Sequence, residues 1–279
     1  MVTVYFEGSS GVQLAADVTG PWNGRPVVLL HGGGQTRHSW GGTSRALAER
    51  GYLALALDAR GHGDSDWSKD SDYSIDAYVG DLRAVLAQLG RPAALVGASL
   101  GGLTSLLARG EQPMVDSPAI VLVDVTPRMQ PDGRRRITEF MRGRPEGFAT
   151  VEEAADAVSA YLPNRPRPKD VSGLVKNLRL GPDGRYRWHW DPAFAEGTRL
   201  MNDTARPERF EAAAAAITAP MLLVRGSISE VVADEDVQAL RTFAPDMEFV
   251  DVEGASHMVA GDRNDVFAAA TIRFLERHY

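Results

Sequence analysis

Two patterns of apolar residues alternate along the chain. Short, nearly continuous apolar runs read as strands covered on both faces: "VVLLH" (27–31), "LALALD" (53–58), "AALVGA" (93–98), "AIVLVDV" (119–125), "MLLVRG" (221–226) and "MEFVDVEG" (247–254). Between them, apolar positions recur at helical spacing. Ile75, Tyr78, Val79, Leu82, Val85, Leu86 and Leu89 mark one face of a helix closed by Gly90, and Phe267, Ala270, Thr271 and Phe274 mark another. At the start the residues alternate apolar and polar, so "VTVYFE" and "VQLAADV" predict an antiparallel hairpin joined through residues 8–11. Strands alternating with helices predict an α/β fold around a mostly parallel sheet.

The alternation fails over residues 127–218. Helical segments follow one another there: "GRRRITEFMRG", "VEEAADAVSAYL", "VSGLVKNLRL" and "RPERFEAAAAAI", with the aromatic piece "DGRYRWHWDPAF" among them. Thr150 and Glu153 have capping-box spacing at the start of the second, and Pro163 stops it. This stretch is too long for a loop and too helical for a linker. The chain therefore divides into a core, residues 1–126 and 219–279, and a helical lid, residues 127–218.

Composition narrows the picture. The 279 residues include no cysteine, which removes disulfides, thiolate nucleophiles and Cys-based metal sites. A formal charge of −7 argues against nucleic-acid partners. The N-terminal residues read as a folded strand rather than a signal peptide, and no run of ~18 apolar residues would cross a membrane. A cytoplasmic protein acting on a small molecule is expected, with its oligomeric state open. The charge is uneven: residues 127–218 carry 16 basic against 13 acidic side chains, the remainder 14 against 24. Such a lid could steer an anionic substrate, or its arginines could simply pair with an acidic body.

Candidate chemistry begins at Gly97-Ala98-Ser99-Leu100-Gly101, where a strand meets a helix. In so tight a turn, a side chain two positions either side of the serine would strike neighbouring backbone, and the serine would sit at a helix N-terminus that favours developing negative charge. A serine hydroxyl needs a base. Of six histidines, His257 in "VDVEGASHMVAGD" follows the last strand and so shares the sheet edge with Ser99. His31, His38, His62, His189 and His278 read as structural or terminal.

With "HGGG" after the third strand (His31–Gly34), "LDARGHGDSD" after the fourth (Leu57–Asp66), "GASLGG" after the fifth and "GASHM" after the eighth (Gly254–Met258), the chain resembles the α/β-hydrolase superfamily over nearly its whole length. The resemblance implies an eight-stranded, mostly parallel sheet with a helical lid inserted after the sixth strand. It also implies an oxyanion hole formed by the amides of Gly33 and Leu100, with Gly34 a secondary contributor. The commonest arrangement in the superfamily places the acid three residues after Gly226, where Ser229 stands; Glu230 is one step further. A second arrangement takes the acid from the end of the sixth strand, which gives Asp124. Asp124 is the preferred acid and Glu230 the alternative.

A serine nucleophile predicts acyl transfer to water through an acyl-enzyme, on a carboxylic ester or lactone, without cofactor or metal. C–C bond hydrolysis, perhydrolysis and thioester hydrolysis need the same residues, and a ligand sensor with negligible turnover is the competing reading from another class. The lid's Phe140, Met141, Phe148, Tyr161, Trp188, Trp190, Phe194 and Met201 supply apolar surface for a pocket. Phe140 and Trp188, with Gly34 and Trp40 from the core, are the candidate substrate contacts.

Overall fold

A computed structural model describes the chain apart from residues 164, 166 and 198 and the side chains of residues 199 and 201. The strands are β1 (Val2–Glu7), β2 (Gln13–Thr19), β3 (Arg25–Leu30), β4 (Tyr52–Leu57), β5 (Ala94–Ala98), β6 (Ile120–Val123), β7 (Leu178–Leu180), β8 (Tyr186–Trp188), β9 (Met221–Gly226) and β10 (Glu248–Val252). Eight of them form one sheet in the order β1-β2-β4-β3-β5-β6-β9-β10. The β1–β2 and β2–β4 pairs are antiparallel and the others parallel.

The parallel strands are apolar throughout because both faces are covered. Val28 and Leu30 of β3 join one buried cluster and Val27 and Leu29 the other; Leu95 and Val96 of β5 divide in the same way. Helices α1 (Gly41–Glu49) and α11 (Asn264–His278), the latter preceded by the short α10 (Val259–Asp262), pack on one face; α2 (Ile75–Leu89), α3 (Leu100–Gly110), α8 (Pro207–Ala216) and α9 (Asp234–Phe243) pack on the other. Helix α2 begins where the Ser74 hydroxyl accepts from the Ala77 amide and ends at Gly90, whose φ of 69° suits glycine.

Between β6 and β9 lie α4 (Pro131–Arg142), α5 (Val151–Tyr161), the β7–β8 hairpin, the short helices α6 (Pro192–Glu196) and α7 (Arg199–Thr204), and α8. Helix α8 packs against α3 and α9, on the body of the molecule. At the start of α5 the Thr150 hydroxyl accepts from the Glu153 amide, but the Glu153 carboxylate accepts from Ala149 rather than Thr150, so the expected capping box is half formed. The segment 171–180, expected to be helical, instead makes a 3₁₀ turn over Ser172–Asn177 and then strand β7. The turn after it explains the difference. In Gly181-Pro182-Asp183-Gly184, Gly184 takes φ 76° and Asp183 accepts from the Arg185 amide, which folds the chain back as a hairpin.

The loop after β4 is held by a buried ion pair. The Arg60 guanidinium donates to both Asp81 carboxylate oxygens at 2.6 and 2.7 Å, and further to the Asp72 and Ser9 carbonyls. Arg60 is 1% exposed and Asp81 4%. Removing one partner strands the other charge away from water, so Asp81→Asn is expected to lower unfolding free energy by about 3–5 kcal/mol, measured as a shift of the urea midpoint.

Candidate active site

Ser99 joins β5 to α3 with φ 48° and ψ −114°. The left-handed φ is forced by how closely the helix returns over the strands. A Cβ at Gly97 would lie 2.4 Å from the Gly101 carbonyl carbon, and one at Gly101 would lie 2.3 Å from the Leu30 carbonyl oxygen. Both flanking glycines are therefore steric requirements, as the sequence pattern predicts. At the first position of α3, the Leu100 amide has no acceptor among the described residues.

His257 stands in the loop after β10, with its side chain 14% exposed, and its Nδ1 lies 2.7 Å from Asp124 Oδ2. Asp124 follows β6 in a left-handed conformation of its own, φ 49°, and is wholly buried. Its carboxylate also accepts from the Gly226 amide at 2.9 Å and from the Ser229 hydroxyl at 2.5 Å. Ser229 in turn accepts from the amides of Val231 and Val232. The other candidate acid, Glu230, has a 43% exposed side chain and pairs at 2.6 Å with Arg136 of α4. Of the two carboxylates, Asp124 is the one in contact with His257. Ser99 and His257 border the same cavity.

The loop after β3 carries the other predicted donor. The Gly32 amide donates to Gln35 Oε1, the Gln35 amide to the Gly32 carbonyl, and the Gly34 amide to His62 Nε2 at 3.1 Å. Gly33 is left as the residue of this turn whose amide has no acceptor among the described residues. Gly34, named as a secondary oxyanion contributor, has its amide committed to His62. It takes φ 77°, and a Cβ there would meet Met141 at 3.2 Å.

Three buried imidazoles surround this loop. His31 Nδ1 lies 2.8 Å from the Gly32 carbonyl, and its Nε2 accepts from the Ala59 amide at 3.0 Å. His62 Nδ1 lies 2.9 Å from the Arg60 carbonyl. His189, between β8 and α6, accepts from the Gly63 amide on Nδ1 at 2.8 Å and donates from Nε2 to the Gly34 carbonyl at 3.3 Å. Burial, reinforced by neighbouring His31, pushes the His189 pKa down to about 3; burial likewise lowers His31 and holds His62 well below the usual histidine range. In the sequence His189 reads only as a structural loop histidine, and both its ring nitrogens are indeed hydrogen-bonded. Nothing local marks it, because its partners are 126 and 155 residues away in the chain.

The cavity has a volume of about 1080 Å³. Phe140 and Trp188 border it, as do Met141, Tyr161, Trp190 and Phe194. Phe140 stacks on Tyr161 with ring centroids 4.2 Å apart, and Trp188 on Trp190 at 5.1 Å. Phe148 is buried behind this wall, edge-on to Trp188. The Met201 side chain lies outside the described residues. Trp40 borders the cavity but is 1% exposed and packed on Phe267. Arginines of the inserted segment pair with acids of the body: Arg136 with Glu230, Arg165 with Asp262, and Arg209 with Asp76 and Glu111.

Among the described residues no cluster of three or more His, Asp or Glu side chains is arranged to hold a metal ion, and no helix is long and apolar enough to cross a membrane. Residues 27–270 match the model of the alpha/beta hydrolase family. The chain is 33% identical over 254 residues to an esterase of Mycobacterium tuberculosis, covering 87% of this chain and 80% of that one. It is 30% identical over 237 residues to 2-(acetamidomethylene)succinate hydrolase of Mesorhizobium japonicum, covering 82% of this chain and 80% of that one. A crystal structure of E-2-(acetamidomethylene)succinate hydrolase superposes with a TM-score of 0.87 over 99% of both chains at 22% identity, a likeness of fold. The serine elbow, the strand order and this match over most of the length place the chain in the alpha/beta hydrolase family.

Proposed function

We propose that the protein is a serine hydrolase that cleaves a carboxylic ester or lactone through an acyl-enzyme, with Ser99, His257 and Asp124 as its catalytic triad. The observation that carries this reading is the 2.7 Å contact between His257 Nδ1 and the buried Asp124, beside the same cavity as a serine held on a glycine-flanked elbow. Asp124 accepts a hydrogen bond from the His257 Nδ1–H, which fixes that tautomer, so the other nitrogen, Nε2, is the base that takes the Ser99 proton. Ser99 Oγ attacks the carbonyl carbon, and the tetrahedral oxyanion is held by the amides of Gly33 and Leu100 at the N-terminus of α3. His257 then delivers its proton to the leaving alcohol. In the second half it activates water, which attacks the acyl-enzyme and frees Ser99.

The cavity supports a substrate with a sizeable apolar or aromatic part, because its wall is built from Phe140, Tyr161, Trp188 and Trp190. The name of the Mycobacterium tuberculosis relative favours an ester as the bond cleaved. The ion pairs between the inserted segment and the body favour docking, rather than substrate steering, as the role of its excess arginines.

Hydrolysis of p-nitrophenyl esters of graded chain length tests the reading. Ser99→Ala and His257→Ala are expected to lose at least ~10⁴-fold in kcat and Asp124→Asn roughly 10³- to 10⁴-fold, while Glu230→Gln stays within about twofold of wild type. A large loss in Glu230→Gln with little in Asp124→Asn would transfer the acid role to Glu230. Fluorophosphonate labelling that is absent from folded wild-type protein would favour the ligand sensor.

The Ser229 hydroxyl lies 2.5 Å from the Asp124 carboxylate, so a carboxylate at 229 falls near the same point. Asp124→Gly tolerates the positive φ of that position and removes the acid. Adding Ser229→Asp to Asp124→Gly is expected to restore activity at least about tenfold. A double variant no faster than Asp124→Gly would show that position 229 cannot reach His257.

A further inference from the structure

The inserted segment does more at the site than cover it. Gly34 is gripped at both ends of its polar backbone by imidazoles from different parts of the chain. Its N–H donates to His62 of the body, and its carbonyl accepts from His189 of the inserted segment. His62 is fixed behind by the Arg60 carbonyl, and His189 by the Gly63 amide. The rings follow one another in series, each tilted on the next, His31 to His62 at 5.2 Å and His62 to His189 at 5.7 Å, and Phe194 closes edge-on over His62 at 4.5 Å. The neighbouring backbone is pinned as well, since the Asp191 amide donates to the Gly61 carbonyl.

The partners dictate the protons. His31 and His62 each face a carbonyl with Nδ1 and an amide N–H with Nε2, so their proton sits on Nδ1. His189 is the reverse, with its proton on Nε2. A second proton on any of the three would point at an N–H.

We propose that His189 is a positioning residue of the reaction: through the Gly34 carbonyl, and together with His62, it holds the turn 32–35 in the shape that leaves the Gly33 amide as the donor to the oxyanion. This rests on the serine-hydrolase reading above. It makes the inserted segment part of the oxyanion machinery, because lifting His189 away frees the Gly34 carbonyl and with it the rotation of the Gly34–Gln35 peptide, leaving His62 alone to hold the turn beside the Gly33 amide. Oxyanion stabilisation acts on the transition state, so the loss belongs in kcat rather than in KM.

The groups facing the cluster set its response to pH. His31 lies 4.0 Å from Asp58, while Arg37 acts on His31, and Arg179, His38 and His31 act on His189. Burial outweighs the Asp58 attraction, so all three rings are expected to stay neutral as the pH falls below the ordinary histidine range.

Three variants and one spectrum test the proposal with p-nitrophenyl butyrate as the probe. His189→Leu removes both hydrogen bonds and is expected to lower kcat roughly 10- to 100-fold with KM within about threefold. His189→Gln keeps one acceptor and one donor and is expected to recover most of that loss. In ¹⁵N-histidine NMR of the wild type, His189 is expected as the neutral Nε2–H tautomer at pH 5, and His31 and His62 as neutral Nδ1–H tautomers at pH 7. This measurement stands even where a variant fails to fold. Unchanged kcat in His189→Leu, a loss confined to KM, or a protonated or Nδ1–H His189 would overturn the positioning role. If Ser99→Ala hydrolyses the ester as fast as wild type, the serine reading itself falls and the positioning role falls with it. A Ser99-dependent enzyme indifferent to His189→Leu overturns the positioning role alone.

Discussion

Helix α3 approaches the strands beneath it at backbone contact, and the site is a consequence of that approach. With Gly97 against Gly101 and Gly101 against Leu30, there is no room for a side chain on either glycine, and the chain must reverse at the single residue between strand and helix. Ser99 absorbs the reversal in a left-handed conformation that costs about 1–3 kcal/mol for a residue with a Cβ. The same approach buries Leu103, Leu106 and Leu107, each contributing about 1.5–3 kcal/mol. Burial outweighs the strain, so a hydroxyl can be held permanently at the head of a helix whose first amide is uncommitted.

Parallel register does the rest of the assembly. Ala98 pairs with Val123, Val123 with Val224, and Gly226 with Val252, so the ends of β5, β6, β9 and β10 lie side by side at one edge. Ser99, Asp124, Ser229 and His257 all follow those ends. That the sequence offers candidate carboxylates after both β6 and β9, Asp124 and Glu230, has the same origin, because these strands are neighbours and the loops after them converge. The Ser229 hydroxyl meeting the Asp124 carboxylate is that convergence. One loop carries the charge, and the other supplies a hydroxyl and, at Gly226, an amide to hold it. Glu230, a residue further on, has already turned outward to Arg136.

Most of this was legible before any coordinates. Continuous apolar runs gave the buried strands, glycines at fixed offsets gave the elbow, and chain order brought Ser99, Asp124 and His257 to one edge. The inserted segment was read less well, for physical reasons. Residues 171–180 have enough apolar spacing to suggest a helix, and only the Gly-Pro-Asp-Gly turn after them, at 181–184, decides for a hairpin. Phe140 and Trp188, the lid residues expected to contact substrate, border the cavity, whereas Phe148, expected only to add apolar surface to a pocket, is buried behind the wall. His189 carried no signal at all, since its meaning lies in amides and carbonyls far away in the chain.

The insertion is held to the body by two kinds of contact of unequal consequence. Its arginine pairs with Glu230, Asp262, Asp76 and Glu111 are partly exposed, where water and salt weaken them. Around residues 189–194 the attachment is buried and directional: His189 to Gly34 and Gly63, the Asp191 amide to Gly61, and the Asp191 carboxylate to the Tyr73 hydroxyl. An unmade buried hydrogen bond costs more than a lost surface ion pair. The insertion is therefore held most firmly where it meets the turns after β3 and β4. Its arginine pairs add partly exposed contacts with the body, while the buried imidazoles hydrogen-bond the backbone turn next to Ser99.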